Sequence, residues 1–259
     1  MSAPVLCTVD SQGVATISLN RPEVGNAYNG DMIQGLLSTM DELGRAAALR
    51  VVVLKGNGKH FQAGADLKWI ESVSRQPLED NVRVSRATAE AVDRLNRLSI
   101  PTVALVQGGC FGGGTGMVAA CDVVIAADNA IFSIAEVRWG LTAAIIVPQL
   151  SDAISVRQLR RYALTGERFD AAEAQRNGLV HQVVAIDQLA AAGEKMTARL
   201  LENGPQAIAE TKAFAIESAW GGFDPETLDA LVESHGRKRM SAEAAEGLAS
   251  FAEKRAARW

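Results

Sequence analysis

The chain has 259 residues, 48% of them hydrophobic, with a formal net charge of −4 at pH 7. This is enough chain for a large buried core, as one domain or as one domain with a helical extension. The acidic balance argues against a basic face built to hold nucleic acid. In chain order, 5–9 and 14–19 flank Asp10-Ser11-Gln12-Gly13 and read as a hairpin. Residues 31–49 read as a helix through Ile33, Leu36, Leu37, Met40 and Leu43. The apolar run in 50–55 suits a strand buried on both faces. A glycine-punctuated loop (56–65) and a short helix from Leu67 follow. A long helix over 79–98 carries Ala87, Ala91, Leu95 and Leu98 on one stripe, and Pro101 follows it. Strands are expected at 102–106, 122–126 and 130–134, with a glycine turn and helix (112–121) between the first two. Beyond Ile186 the pattern is wholly helical: Gly204-Pro205 and Asp224-Pro225 open helices, and a last one spans 241–255. Alternating strands and helices imply an α/β fold with its loops gathered at one end.

The N-terminus, Met1-Ser2-Ala3-Pro4, shows neither the basic nor the apolar region of a signal peptide, and no apolar run approaches a membrane span. Cys7, Cys110 and Cys121 are too few and too scattered for a disulfide framework. A reducing cytoplasm is the simplest expected setting. Cys110 beside the glycine turn is expected to be packed and inert. His60 reads as a surface residue, and His181 and His235 lack metal-ligand spacing, so no metal is expected.

Two segments carry the chemistry. Phe61-Gln62-Ala63-Gly64-Ala65-Asp66 and Phe111-Gly112-Gly113-Gly114 each follow a buried strand. If those strands are neighbours, backbone N–H groups from both turns can converge on one point as an oxyanion hole. The spacing is not that of a phosphate-cradling loop. Glu136 is the one carboxylate between Ala130 and Pro148. An apolar setting would raise its pKa and suit it to proton exchange near neutrality; the plainer reading is a helix cap or a pair with Arg138. Asp66 and Asp122 read first as capping and turn residues.

Leu19-Asn20-Arg21-Pro22 with Asn26-Ala27, Ala63-Gly64-Ala65-Asp66, Phe111-Gly112-Gly113-Gly114, Cys121-Asp122, and Ile131-Phe132-Ser133 before Ala135-Glu136 follow one another in order along the chain. In these motifs the chain resembles the enoyl-CoA hydratase/isomerase (crotonase) family. Leu164-Thr165-Gly166-Glu167 and Phe251-x-Glu253-Lys254-Arg255 extend the resemblance to the C-terminus. It implies a spiral of β-β-α repeats over residues 1–200 holding the active site. Residues 201–259 would form a helical oligomerisation region giving trimers or hexamers. It places the oxyanion donors at the N–H groups of Ala65 and Gly113, with Glu136 as acid–base. Coenzyme A, as part of the thioester substrate rather than a separate cofactor, would lie across Asn26-Ala27 and Ala63 to Leu67. Lys254 would meet a phosphate of coenzyme A bound to a neighbouring subunit, or be a solvated helix charge. Phe111, Gly112, Gly116, Ala135 and Trp139 complete the expected acyl-CoA site, together with Ala27, Ala63, Asp66 and Leu67.

Straight-chain hydratases of this family use two glutamates. The second falls at Glu136, whereas the first falls at Gly116; Ala135 stands where proline is common. The segment from Glu136 to Pro148 resembles the methylglutaconyl-CoA and isohexenylglutaconyl-CoA hydratase branch. That resemblance implies a branched substrate with a second carboxylate, and Gly116 would make room for it. The alternatives are a delta-3/delta-2 enoyl-CoA isomerase using Glu136 alone, or a non-catalytic member binding acyl-CoA or RNA.

Overall fold

A computed structural model describes residues 3–46, 48–221, 232 and 241–258. The expected helix at Asp224-Pro225, and His235, lie outside these residues. Strands β1 (Val5–Val9) and β2 (Val14–Leu19) form the hairpin, antiparallel with Val5 opposite Leu19. The Asp10 carboxylate closes the turn by accepting the N–H groups of Gln12 (2.8 Å) and Val14 (2.9 Å). Helix α1 (Gly30–Leu43) is capped by the Asn29 side chain, which accepts the Met32 N–H at 3.1 Å, and buries Met32, Ile33, Leu36, Met40 and Leu43. It ends at Leu43 rather than Leu49. Leu49 is buried in the same core but is reached through turns, because the chain must reverse to enter the next strand.

Strand β3 (Val51–Gly56) shows why its apolar run is continuous. Val52 and Leu54 face one core cluster with α1, while Val51 and Val53 face a second. The short helix α2 (Leu67–Ser74) and the long helix α3 (Leu78–Asn96) follow. Of the expected stripe, Ala91, Leu95 and Leu98 are buried, and Ala87 packs against them. Then come β4 (Thr102–Val106), β5 (Gly109–Phe111), α4 (Gly113–Ala119), β6 (Val123–Ala127) and β7 (Ile131–Ser133). Helix α5 (Val147–Thr165), broken at Ser155, leads to β8 (Phe169–Asp170), α6 (Ala171–Asn177) and β9 (Gln182–Val184). Helices α7 (Leu189–Leu201), α8 (Pro205–Gly221) and α9 (Ala242–Glu253) complete the described chain.

The main sheet runs β1-β2-β3-β4-β6-β9 and is parallel except at the hairpin; β5-β7-β8 form a second, small sheet. Four of these strands, β5, β7, β8 and β9, are only two or three residues long; of these the sequence pattern marked β7 alone. Helix α7 packs on the face of β3, β4 and β6 opposite α1 and α3. Asp122, between α4 and β6, accepts the Thr102 N–H at 2.7 Å and pairs with Lys212 of α8 at 2.7 Å. This carboxylate ties α8 to the sheet. Among the described residues no helix is long and apolar enough to cross a membrane.

Candidate active site

The two glycine-bearing turns meet through backbone pairing. After β3 the chain runs beside β5: Gln62 donates its N–H to the Gly109 carbonyl (3.1 Å), and Phe111 donates to the Gln62 carbonyl (2.9 Å). A third segment clamps the first turn. Asn26 is fully buried at φ +59°, and its Nδ2 donates to the carbonyls of Asn57 (2.9 Å) and His60 (2.8 Å). Two residues on, Tyr28 donates its N–H to the Gly64 carbonyl and accepts the Asp66 N–H, both at 2.9 Å. These bonds bracket Ala65 but leave its own N–H unused, and the Gly113 N–H is also without an acceptor among the described residues.

Glu136 follows β7 and opens the 3-10 turn Glu136–Trp139. Its carboxylate lies directly over Gly112, where a Cβ would come within 2.9 Å of Oε1; Gly112 also has φ +51°. Glycine is required there on both counts. Glu136 Oε2 is buried and has no hydrogen-bond partner. Burial pushes the carboxyl pKa up, against a smaller downward pull from its own backbone N–H. Among the described residues no ion pair joins it to Arg138, and its side chain caps no helix. An unpartnered buried carboxylate oxygen costs about 1–3 kcal/mol or more, so this oxygen does not help to hold the fold.

A cavity of about 680 Å³ opens in front of this carboxylate. Its wall includes nine of the expected site residues: Ala63, Ala65, Leu67, Phe111, Gly112, Gly113, Ala135, Glu136 and Trp139. Four others lie off the wall. The Asp66 carboxylate caps α2 at Lys68 and Trp69 and pairs with Arg21 at 3.1 Å, so it is spent on structure. Ala27 is buried, and its carbonyl accepts an Arg21 N–H at 2.6 Å. Lys254 sits just beyond α9, at φ +51°, away from the cavity. Gly116 corrects the expectation that it opens space for substrate. A Cβ on it would come within 2.2 Å of Ile146 Cγ2, and Ile146 itself is 1% exposed. Ile146, from the 3-10 turn Ala144–Ile146, fills the place a side chain at 116 would take.

The cavity also uses Tyr28, Val84, Ile146 and Arg168, which the sequence reading did not assign to it. Tyr28 had one available signal, its position immediately after Asn26-Ala27. The others arrive from distant segments, and Ile146 stands in an irregular turn with no periodicity to reveal its facing. His60 is not a plain surface residue, because its Nδ1 accepts the Gly109 N–H at 2.8 Å and helps seat β5. Cys110 and Cys121 are buried, and burial pushes both thiols up, Cys121 to about 12. Neither is poised as a nucleophile.

The sequence matches the family described as Enoyl-CoA hydratase/isomerase over residues 10–259. It is 34% identical to the mevalonyl-coenzyme A hydratase sidH of Aspergillus fumigatus over 257 residues, covering 95% of this chain and 91% of that one. It is 32% identical to the mitochondrial Delta(3,5)-Delta(2,4)-dienoyl-CoA isomerase of Dictyostelium discoideum over 213 residues, covering 78% and 73% of the two chains. The crystal structure of an enoyl-CoA hydratase from Shewanella pealeana superposes with a TM-score of 0.94 at 36% identity, covering 99% of this chain and 96% of that one. The mixed α/β architecture is therefore the crotonase fold, and the chain belongs to the enoyl-CoA hydratase/isomerase family.

Proposed function

We propose that this enzyme adds water to an α,β-unsaturated acyl-CoA thioester whose branched acyl group carries a second carboxylate, of the methylglutaconyl type. The observation that carries the reading is the unpartnered, buried Glu136 oxygen facing the same cavity as the unused N–H groups of Ala65 and Gly113. The two N–H groups would hold the thioester oxygen. Water adds to the β-carbon and gives a proton to Glu136, while the double-bond electrons move onto that oxygen as an enolate. Glu136 then returns the proton to the α-carbon, and no further cofactor is needed. A raised pKa suits a carboxylate that must both take and give this proton.

Arg138 and Arg168 support the acidic acyl chain. Both line the cavity, neither has a carboxylate partner among the described residues, and the Arg168 guanidinium lies over the Phe111 ring at 5.4 Å. A charge-assisted hydrogen bond contributes about 1.5–3 kcal/mol. Replacing Arg138 and Arg168 together with glutamine is expected to raise KM for 3-methylglutaconyl-CoA about 10–100-fold and to leave KM for crotonyl-CoA nearly unchanged. Steady-state kinetics on a panel of crotonyl-, tiglyl- and 3-methylglutaconyl-CoA tests the substrate class. Equal kcat/KM for crotonyl- and 3-methylglutaconyl-CoA would remove the case for a second carboxylate, and binding without turnover across the panel would favour a non-catalytic role.

Isomerisation is the second reading, and Gly116 favours it, because moving one proton between two carbons needs one carboxylate. We also propose that residues 201–259 mediate assembly into trimers or hexamers; light scattering reading a monomer mass would exclude this.

A further inference from the structure

Hydration normally asks for two groups on the water, and the position that would supply the second carboxylate, Gly116, is closed by Ile146. Another protic side chain must then meet the water, and the cavity wall offers few. Ser133 Oγ donates to the Gly166 carbonyl, Thr88 Oγ1 to Val84, Ser74 Oγ to Glu71, and Asn81 Nδ2 to carbonyls around the start of α3. All four are turned to the backbone. The Tyr28 hydroxyl makes no hydrogen bond to any described residue; Ser85 and Thr142 also line the wall, but the side chains that come nearest a Cβ at Gly112 and Gly113 are those of Glu136 and Tyr28.

Its placement is fixed from three sides. The backbone is locked to the Gly64–Asp66 turn by the two 2.9 Å bonds described above. The ring meets Trp69 edge-on at 5.9 Å between centroids. Its edge lies over Gly113, where a Cβ would come within 2.7 Å of Cε1. The Glu136 carboxylate lies over Gly112 in the same manner, at 2.9 Å. Phenol and carboxylate thus stand over neighbouring residues of one turn and face one cavity.

We propose that the Tyr28 hydroxyl donates a hydrogen bond to the water oxygen that adds to the β-carbon, serving as the second group on that water. This rests on the hydration reading. One water proton goes to Glu136, the new C–O bond forms at the β-carbon, and Tyr28 keeps its own proton throughout. Burial, and secondarily the nearby Glu136 charge, push the phenol up to about 12, so it stays a donor across the working pH range.

The test compares two reactions in the Tyr28→Phe variant, whose ring can still rest on Gly113. The first is hydration of 3-methylglutaconyl-CoA and crotonyl-CoA. The second is deuterium uptake at the α-carbon of butyryl-CoA in heavy water, which has no double bond to hydrate and reads only Glu136 and the thioester oxygen site. Hydration kcat is expected to fall about 10–100-fold further than the exchange rate, with an unchanged melting temperature. Equal losses in both reactions, or no loss in hydration, would overturn the assignment. Wild-type enzyme that exchanges the α-proton but adds water to neither enoyl thioester would instead overturn the hydration reading on which it rests.

Discussion

Replacing Glu136 with glutamine is expected to lower kcat about 10²–10⁴-fold while the protein stays folded. Glutamine keeps the shape of the side chain over Gly112 but can neither take the proton from water nor return it to the α-carbon. The wild-type pH profile should carry the same signature. Burial raises the Glu136 pKa above its ordinary value of 4.5, so the base form is lost early as pH falls. The acidic limb of kcat/KM should therefore lie above 4.5 and be absent from the residual activity of Glu136→Gln.

Stability should move the other way. The folded protein binds this proton more tightly than the unfolded chain does. The associated stabilisation is complete below the ordinary pKa and is lost as pH rises through the raised one. The melting temperature of Glu136→Gln should therefore exceed that of the wild type at about pH 8, and the gap should close toward about pH 4. Thermal melts at both values check this. A variant less stable than wild type at the higher pH would mean that the carboxylate has a partner in the folded state.

Replacing Gly116 with alanine is expected to destabilise the protein by about 1–3 kcal/mol, the usual cost of overpacking a filled core. The added methyl would lie 2.2 Å from Ile146 Cγ2 and 2.6 Å from its Cβ, and Ile146 is buried. Alanine gains about 0.5–1 kcal/mol over glycine in a helix interior, which is too little to offset that contact. For a chain of this size the net loss corresponds to a fall of about 2–4 °C in melting temperature per kcal/mol. Because Ile146 lines the cavity, its displacement should also raise KM. A Gly116→Ala protein as stable as wild type would mean that Ile146 yields freely and that a side chain at 116 can reach the cavity.

Much of this was legible in the sequence where pattern and chemistry coincide. The apolar run from Val51 to Leu54 announced a strand buried on both faces, and it is shared between two core clusters by alternation. The two glycine-bearing turns were recognisable as a pair, and the pairing of Gln62 with Cys110 brings them together. What stayed hidden depends on which side chain fills which space. Nothing in the residues around Gly116 says that Ile146, thirty positions on in an irregular turn, occupies the space above it. Asp66 looked able to face the substrate until Arg21, brought near by the hairpin and its following turn, claimed its carboxylate. Tyr28 sat beside a recognised pair of residues, but its ring direction is set by Trp69 and Gly113, both distant in sequence.

The proposed hydration makes water the second substrate. Incubating the enzyme with 3-methylglutaconyl-CoA in heavy-oxygen water and weighing the product by mass spectrometry tests this most directly. The account predicts a β-hydroxy thioester carrying one labelled oxygen. An unlabelled product of unchanged mass with its double bond moved would contradict it and identify the reaction as isomerisation.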